Sequence, residues 1–345
     1  MNYPPEDERF SWRSDESFWR RWSRRITSIS VVFTTTLVVT VLWPAALPLV
    51  LFLDARSGRA SGLRALLLCS AFLWIEIAGI TTALVLGFLG MLRLLRDSRY
   101  QDAHYRLQRW WAAALFKTLS YLLCWELEFD GPDSLAQGPL LILSRHASII
   151  DTLLPAVLLG RIGYQPRYVM KRALLWDPCL DLVGQRLPNA FVTRGGKHPE
   201  LEAKRIAALG QDVTQMDAIV LYPEGTRFTP ERRNRHIAAL RRSDDPRLPV
   251  AETLQHTLVP RARGIEAVTS TLRQAPSAAV VLFEHTGLEG LTGARDLLTS
   301  AAFGRRITLR LRTFPLADVP VGPELERWLH MRWQEMDAWI ARILR

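Results

Sequence analysis

The chain has 345 residues, a net charge of +10 and a pI near 10.0, long enough for more than one structural unit and a large core. Hydrophobic residues make up 48% and charged residues 23%, ordinary globular usage on average. The basic residues are dispersed, with no dense basic helix or zinc-finger spacing, which argues against a nucleic-acid partner and favours an anionic lipid surface. Cys69, Cys124 and Cys179 are odd in number and too scattered for a metal site or a disulfide framework. They read as small buried hydrophobes in a reducing compartment.

Residues 1–25 form a polar tail in which Trp12, Trp19 and Trp22 alternate with arginines, a mix suited to lipid headgroup level. Residues 26–53 contain no charged side chain, and residues 65–92 contain only Glu76. Each run exceeds the roughly 20 apolar residues that cross a bilayer core as a helix. Both are too long for a cleavable signal peptide. The stretch 26–97 therefore reads as two membrane-embedded helices. Pro44 and Pro48 interrupt the first, so the pair is either a spanning hairpin or a shallow re-entrant one. Either way, the N-terminal tail and everything after residue 93 share one side. Arg20, Arg21, Arg24 and Arg25 before the pair, and Arg93, Arg96 and Arg99 after it, place that side in the cytoplasm. Arg56, Arg59 and Arg64 in the intervening loop weigh the other way. Glu76, at membrane depth, reads as a hydrogen-bonding partner for the neighbouring helix. Residues 98–128, including RLQRWWAAALFKTLSYLLCWELE, are helical in pattern and read as an interfacial helix, with plain core packing as the alternative.

From 129 to 345 short apolar strands alternate with helical stretches. Strand-like runs fall at 139–144, 218–225 and 278–284, with a late strand within 302–316. Helical patterns fall at 148–160, 199–216 and 261–273, and an amphipathic helix, PELERWLHMRWQEMDAWIARIL, closes the chain. This alternation predicts an α/β layer with a mostly parallel sheet, in which ligands bind at the carboxyl ends of strands.

Two polar stretches fall at such strand ends. In SRHASIID, 144–151, Ser148-x-x-Asp151 has the form of a capping box. The same residues also offer His146 as a base with Asp151 as the carboxylate that orients it. In YPEGTRF, 222–228, a turn at Gly225 presents backbone N–H groups beside Thr226 and Arg227, which suits an anion such as phosphate or, equally, a simple polar turn. NAFVTR, 189–194, is a short strand closing on Arg194. YVMKRALLWDP carries Lys171 and Arg172, and TLVPRARG, 257–264, places Pro260 after an apolar strand.

Taken in order, these elements resemble the glycerolipid acyltransferase family, that is, lysophosphatidate and related lysophospholipid acyltransferases, over about residues 130–290. The family's histidine, four residues and aspartate match His146 and Asp151. Its strand ending on arginine matches Phe191-Val192-Thr193-Arg194, although Pro188-Asn189 stand where a glycine is usual. Its Glu-Gly motif matches Pro223-Glu224-Gly225-Thr226-Arg227, and its apolar pair closed by proline matches Leu258-Val259-Pro260. VPRARG and WLHMRWQEMD are most similar to the branch that includes lysophosphatidylinositol and lysocardiolipin acyltransferases.

The resemblance implies an α/β fold, a mostly parallel sheet flanked by helices and preceded by the two membrane-embedded helices. It implies transfer of a fatty acyl group from acyl-coenzyme A or acyl carrier protein to the free hydroxyl of a lysophospholipid, with 1-acyl-sn-glycerol 3-phosphate as the expected acceptor. His146 is then the general base and Asp151 its partner. Arg194, Glu224, Gly225, Thr226 and Arg227 serve the substrate phosphate, with Lys171 as a further contact and Glu224 orienting Arg227 or the loop backbone. No metal and no cofactor beyond the thioester co-substrate is expected, and the partners are membrane lipids, with no nucleic acid. A lysophospholipid with a larger headgroup is the alternative acceptor. A non-catalytic membrane lipid-binding scaffold is the alternative of another class.

Overall fold

The computed structural model describes residues 16–58, 60–95, 97–131, 137–193, 199–275 and 277–345. Three long helices come first: α1 (Phe18–Ser57), α2 (Ser61–Met91) and α3 (Asp97–Leu122). Then follow β1 (Glu126–Phe129), β2 (Leu140–Ser144), α4 (Leu153–Arg161), β3 (Gln165–Lys171), α5 (Pro178–Gly184), β4 (Ala190–Val192), α6 (Pro199–Ala208) and β5 (Asp217–Leu221). The remainder comprises α7 (Pro230–Arg242), α8 (Leu248–Thr253), α9 (Arg263–Leu272), β6 (Ala279–Thr286), β7 (Arg306–Pro315) and α10 (Pro323–Ile343). These divide into two compact units: Met1–Trp125, Met170–Gly196 and Leu298–Gly304 in one, and Glu126–Val169, Lys197–Leu297 and Arg305–Arg345 in the other.

In the first unit, α1 continues through Pro44 and Pro48, so neither proline ends the helix. α1 and α2 are both long and apolar enough to cross a membrane. Their large apolar side chains, among them Val41, Leu42 and Phe52 on α1 and Phe72, Val85 and Phe88 on α2, are exposed, a pattern that suits lipid and not water. The Asp54 carboxylate caps the start of α2 by accepting the N–H groups of Gly62 at 2.9 Å and Leu63 at 2.8 Å. Glu76 is buried and accepts the indole N–H of Trp111 on α3 at 2.7 Å, the inter-helix bond expected of it.

α5 packs on the same helices. A side chain at Gly79 would put its Cβ 2.6 Å from the Cys179 sulfur, so any larger residue there would have to displace the Cys179 side chain. The buried Asp181 accepts from Arg24 at 3.0 Å and from Arg25 at 3.1 Å. Of the three cysteines only Cys179 is buried. Cys69 and Cys124 are exposed, contrary to expectation, the one on α2 and the other in the turn after α3.

In the second unit, β2, β5 and β6 are buried along their whole lengths, as strands covered on both faces must be. β2 pairs in parallel with β5 (Leu140 opposite Ala218) and with β6 (Leu140 opposite Ala279), and β3 pairs in parallel with β5. β7 runs antiparallel to β6 and parallel to β1. The seven-stranded order is β1-β7-β6-β2-β5-β3-β4, mixed but mostly parallel, as the alternation of elements predicts. α10 seals the layer with Leu325, Leu329, Trp333, Met336 and Ile340, spaced three or four apart on one face. Because β2, β5 and β6 are parallel, their carboxyl ends emerge side by side. The site grows from these three ends.

Candidate active site

β2 ends at Ser144, and the next eight residues form a turn before α4 starts at Leu153. Inside it one of the two capping-box bonds forms without a helix, Ser148 N–H donating to Asp151 Oδ2 at 2.7 Å, while Ser148 Oγ accepts the N–H of Ile150 at 3.1 Å. Ala147 N–H also donates to Asp151 Oδ2, at 2.6 Å. With no helical rotation between them, His146 and Asp151 come together. His146 Nδ1 lies 3.0 Å from Asp151 Oδ1 and 3.2 Å from Oδ2. Burial alone would raise the Asp151 carboxyl, but the His146 charge and the donated hydrogen bonds hold it below its ordinary value. An ionised carboxylate can only accept, so Nδ1 carries a ring proton, and in the neutral imidazole the lone pair is then on Nε2. The Asp151 side chain is wholly buried, whereas that of His146 keeps 12% of its surface exposed.

β5 ends at Leu221 and leads into the Glu-Gly turn. Tyr222 packs its ring 4.8 Å from that of His146. Gly225 has φ +65°, the left-handed region, and its N–H closes the turn on Tyr222 C=O at 2.8 Å. The Glu224 carboxylate points at backbone: Oε1 accepts His146 N–H at 3.1 Å, and Oε2 accepts Leu258 N–H at 3.0 Å. Burial pushes Glu224 up to about 8, against the pull of the nearby Arg145 charge. Two further bonds lock the turns together, Phe228 N–H to His146 C=O at 2.6 Å and Arg261 N–H to Pro223 C=O at 3.1 Å. Thr226 is half-buried, and the half-buried Arg227 donates to the Thr292 carbonyl.

Of the remaining sequence candidates, Arg194 lies outside the described residues. Lys171 is exposed at the end of β3, in the other unit. Among the described residues no three His, Cys, Asp or Glu side chains are grouped to hold a metal ion.

Sequence reasoning missed Arg145, His285 and Glu289. Arg145 is fully buried. It donates to the carbonyls of His285 and His256, each at 2.7 Å, and pairs with Glu289. Burial would raise Glu289, but the Arg145 guanidinium holds it down at about 2. Asp337 of α10 in turn fixes the 255–257 segment, accepting from Gln255 N–H at 2.9 Å, His256 N–H at 2.7 Å and Thr257 Oγ at 3.0 Å. His285, read from sequence as structural, places Nε2 3.7 Å from Asp151 Oδ2.

Residues 126–262 match the family model described as Acyltransferase. The chain is similar to 1-acyl-sn-glycerol-3-phosphate acyltransferase delta of Homo sapiens, 26% identical over 206 residues, and to that of Bos taurus, 25% identical over 203 residues. In each case the match covers 57% of this chain and 51% of the relative, so the chain spans about half the length of these curated relatives. The crystal structure of the 1-acyl-sn-glycerophosphate (LPA) acyltransferase PlsC from Thermotoga maritima matches with a TM-score of 0.50 at 11% identity. That match covers 81% of this chain and 97% of the other, a likeness of fold.

Proposed function

We propose that this protein transfers a fatty acyl group from an acyl thioester, coenzyme A or acyl carrier protein, to the free hydroxyl of 1-acyl-sn-glycerol 3-phosphate, giving phosphatidate. The observation that carries the reading is the exposed edge of His146, its Nδ1 held at 3.0 Å by the wholly buried carboxylate of Asp151. An alcohol is a poor nucleophile at neutral pH. His146 Nε2 takes its proton as the oxygen attacks the thioester carbonyl, and Asp151 stabilises the imidazolium that forms. The substrate hydroxyl is itself the nucleophile, so no acyl-enzyme intermediate is required. The imidazolium then returns its proton to the departing thiolate.

The phosphate of the acceptor falls to the Gly225–Arg227 turn. Glu224 acts one step back, through the backbone of His146 and Leu258. The activity for which these relatives are named supports the acceptor. The two exposed apolar helices support an enzyme that meets both lipids in the bilayer, and the arginines flanking them support a cytoplasmic active face.

The test is detergent-purified protein with labelled acyl-coenzyme A, then labelled acyl carrier protein, against a panel of lysophospholipids of differing headgroup. Label appearing in phosphatidate supports the reading. Label moving only to a larger headgroup replaces the acceptor, and no acylation with either donor overturns the activity.

A further inference from the structure

Arg145 and His285 hold each other by reciprocal bonds. The Arg145 guanidinium donates to the His285 carbonyl at 2.7 Å, and His285 Nε2 lies 3.1 Å from the Arg145 carbonyl. A carbonyl oxygen only accepts, so Nε2 carries the His285 ring proton. Arg145 N–H adds a bond to Phe283 C=O at 3.2 Å. The residue immediately before His146 is thereby tied to β6 by its N–H, its carbonyl and its side chain together.

The second consequence concerns Asp151. The His285 Nε2–H sits 3.7 Å from Asp151 Oδ2, the same oxygen that takes the N–H groups of Ala147 and Ser148. Both rings around this carboxylate therefore present an N–H, His146 from its own turn and His285 from β6. Burial keeps His285 below its ordinary value, and the Arg145 charge acts in the same sense, so it faces Asp151 as a neutral dipole. Its Nδ1 meets no hydrogen-bond partner among the described residues, so Nε2 is the working side of the ring. The outer end of the clasp is fixed as well: Glu289 takes Arg145, and Arg305 donates to the carbonyls of Gly287 at 2.9 Å and Glu289 at 2.7 Å.

We propose that Arg145 and His285 are positioning residues, which set the register of the 145–151 turn against β6 and aim the Asp151 carboxylate at His146 Nδ1. This rests on the acyl-transfer reading for its kinetic consequence but not for its geometry. A displacement of the pair by even a fraction of a hydrogen-bond length degrades proton transfer, and misplacement of about 1 Å costs on the order of 100-fold.

The experiment compares His285→Leu, which removes the N–H, with His285→Gln, whose amide nitrogen can stand where Nε2 stands. On the accepted lysophospholipid, His285→Leu should lower kcat about 10- to 100-fold with KM unchanged, and His285→Gln should restore most of it. Thermal unfolding of both variants separates loss of position from loss of fold. The same preparations are treated with diethyl pyrocarbonate and the His146 peptide is followed by mass spectrometry. Carbethoxylation should be slower in His285→Leu and recovered in His285→Gln, because the Asp151 carboxylate, when it accepts Nδ1–H, raises the nucleophilicity of Nε2. Wild-type kcat and wild-type carbethoxylation in His285→Leu would overturn the proposal. If wild type acylates no acceptor, the activity reading fails and the carbethoxylation rates alone decide the clasp.

Discussion

The carboxylate of Glu224 accepts the backbone N–H of His146 at 3.1 Å, with its second oxygen on Leu258 N–H at 3.0 Å. One side chain of the Glu-Gly turn thus sets the height of the histidine in the turn after β2 and anchors the Leu258-Val259-Pro260 segment. Replacing it with glutamine exchanges one accepting oxygen for an NH2 group that faces an N–H, at a cost of about 1–3 kcal/mol for the unpaired donor. Thermal unfolding of wild type beside Glu224→Gln should show the variant melting lower, and an unchanged melt would contradict this role.

Asp151→Asn keeps the size of the side chain but places an amide where three N–H groups converge, those of Ala147, Ser148 and the His146 ring. The ring loses the partner that fixes its tautomer. Activity should fall by about 100-fold or more, and the unfolding temperature should fall with it. Steady-state kinetics and a thermal melt on one preparation check both.

Gly225→Ala imposes a Cβ at φ +65°. The left-handed region costs a non-glycine residue about 1–2 kcal/mol, so the melt should shift down by a few degrees. Arg227, two residues on, should lose part of its hold on Thr292, and KM for the phosphate-bearing acceptor should rise more than kcat falls.

Asp181→Ala leaves two guanidinium groups, Arg24 and Arg25, buried without their shared carboxylate. Breaking a buried pair from one side costs about 3–5 kcal/mol. Detergent-extracted protein should aggregate at markedly lower temperature than wild type, with no change in headgroup preference in the fraction that remains folded.

What the sequence made legible was local. His146 and Asp151 are five residues apart, and Pro223 to Arg227 are contiguous, so a turn that uses them is written in one stretch of chain. The buried strands β2, β5 and β6 announced themselves as apolar runs, although β5 stops at Leu221 because Tyr222–Gly225 is already the turn. β1, ELEF, is an exposed edge with no apolar alternation to read. β3 hides behind Arg167, whose charge looks solvated in sequence but is buried against Asp217 at 3.0 Å. The Arg145–His285 clasp joins residues 140 apart, and Arg24 and Arg25 meet Asp181 at separations of 157 and 156. No periodicity or spacing encodes such partners. Arg24 and Arg25 read as headgroup-facing flanks for the same reason: an arginine near a membrane segment gives no sign of a carboxylate arriving from α5.

The central claim is that His146 removes the proton from the acceptor hydroxyl. The measurement that tests it most directly is kcat of His146→Ala beside wild type, on the lysophospholipid that wild type acylates, with matched unfolding curves. A loss of about 100-fold or more in a folded variant is the predicted result, within the span for removal of a general base. A folded His146→Ala enzyme that turns over at the wild-type rate would contradict it.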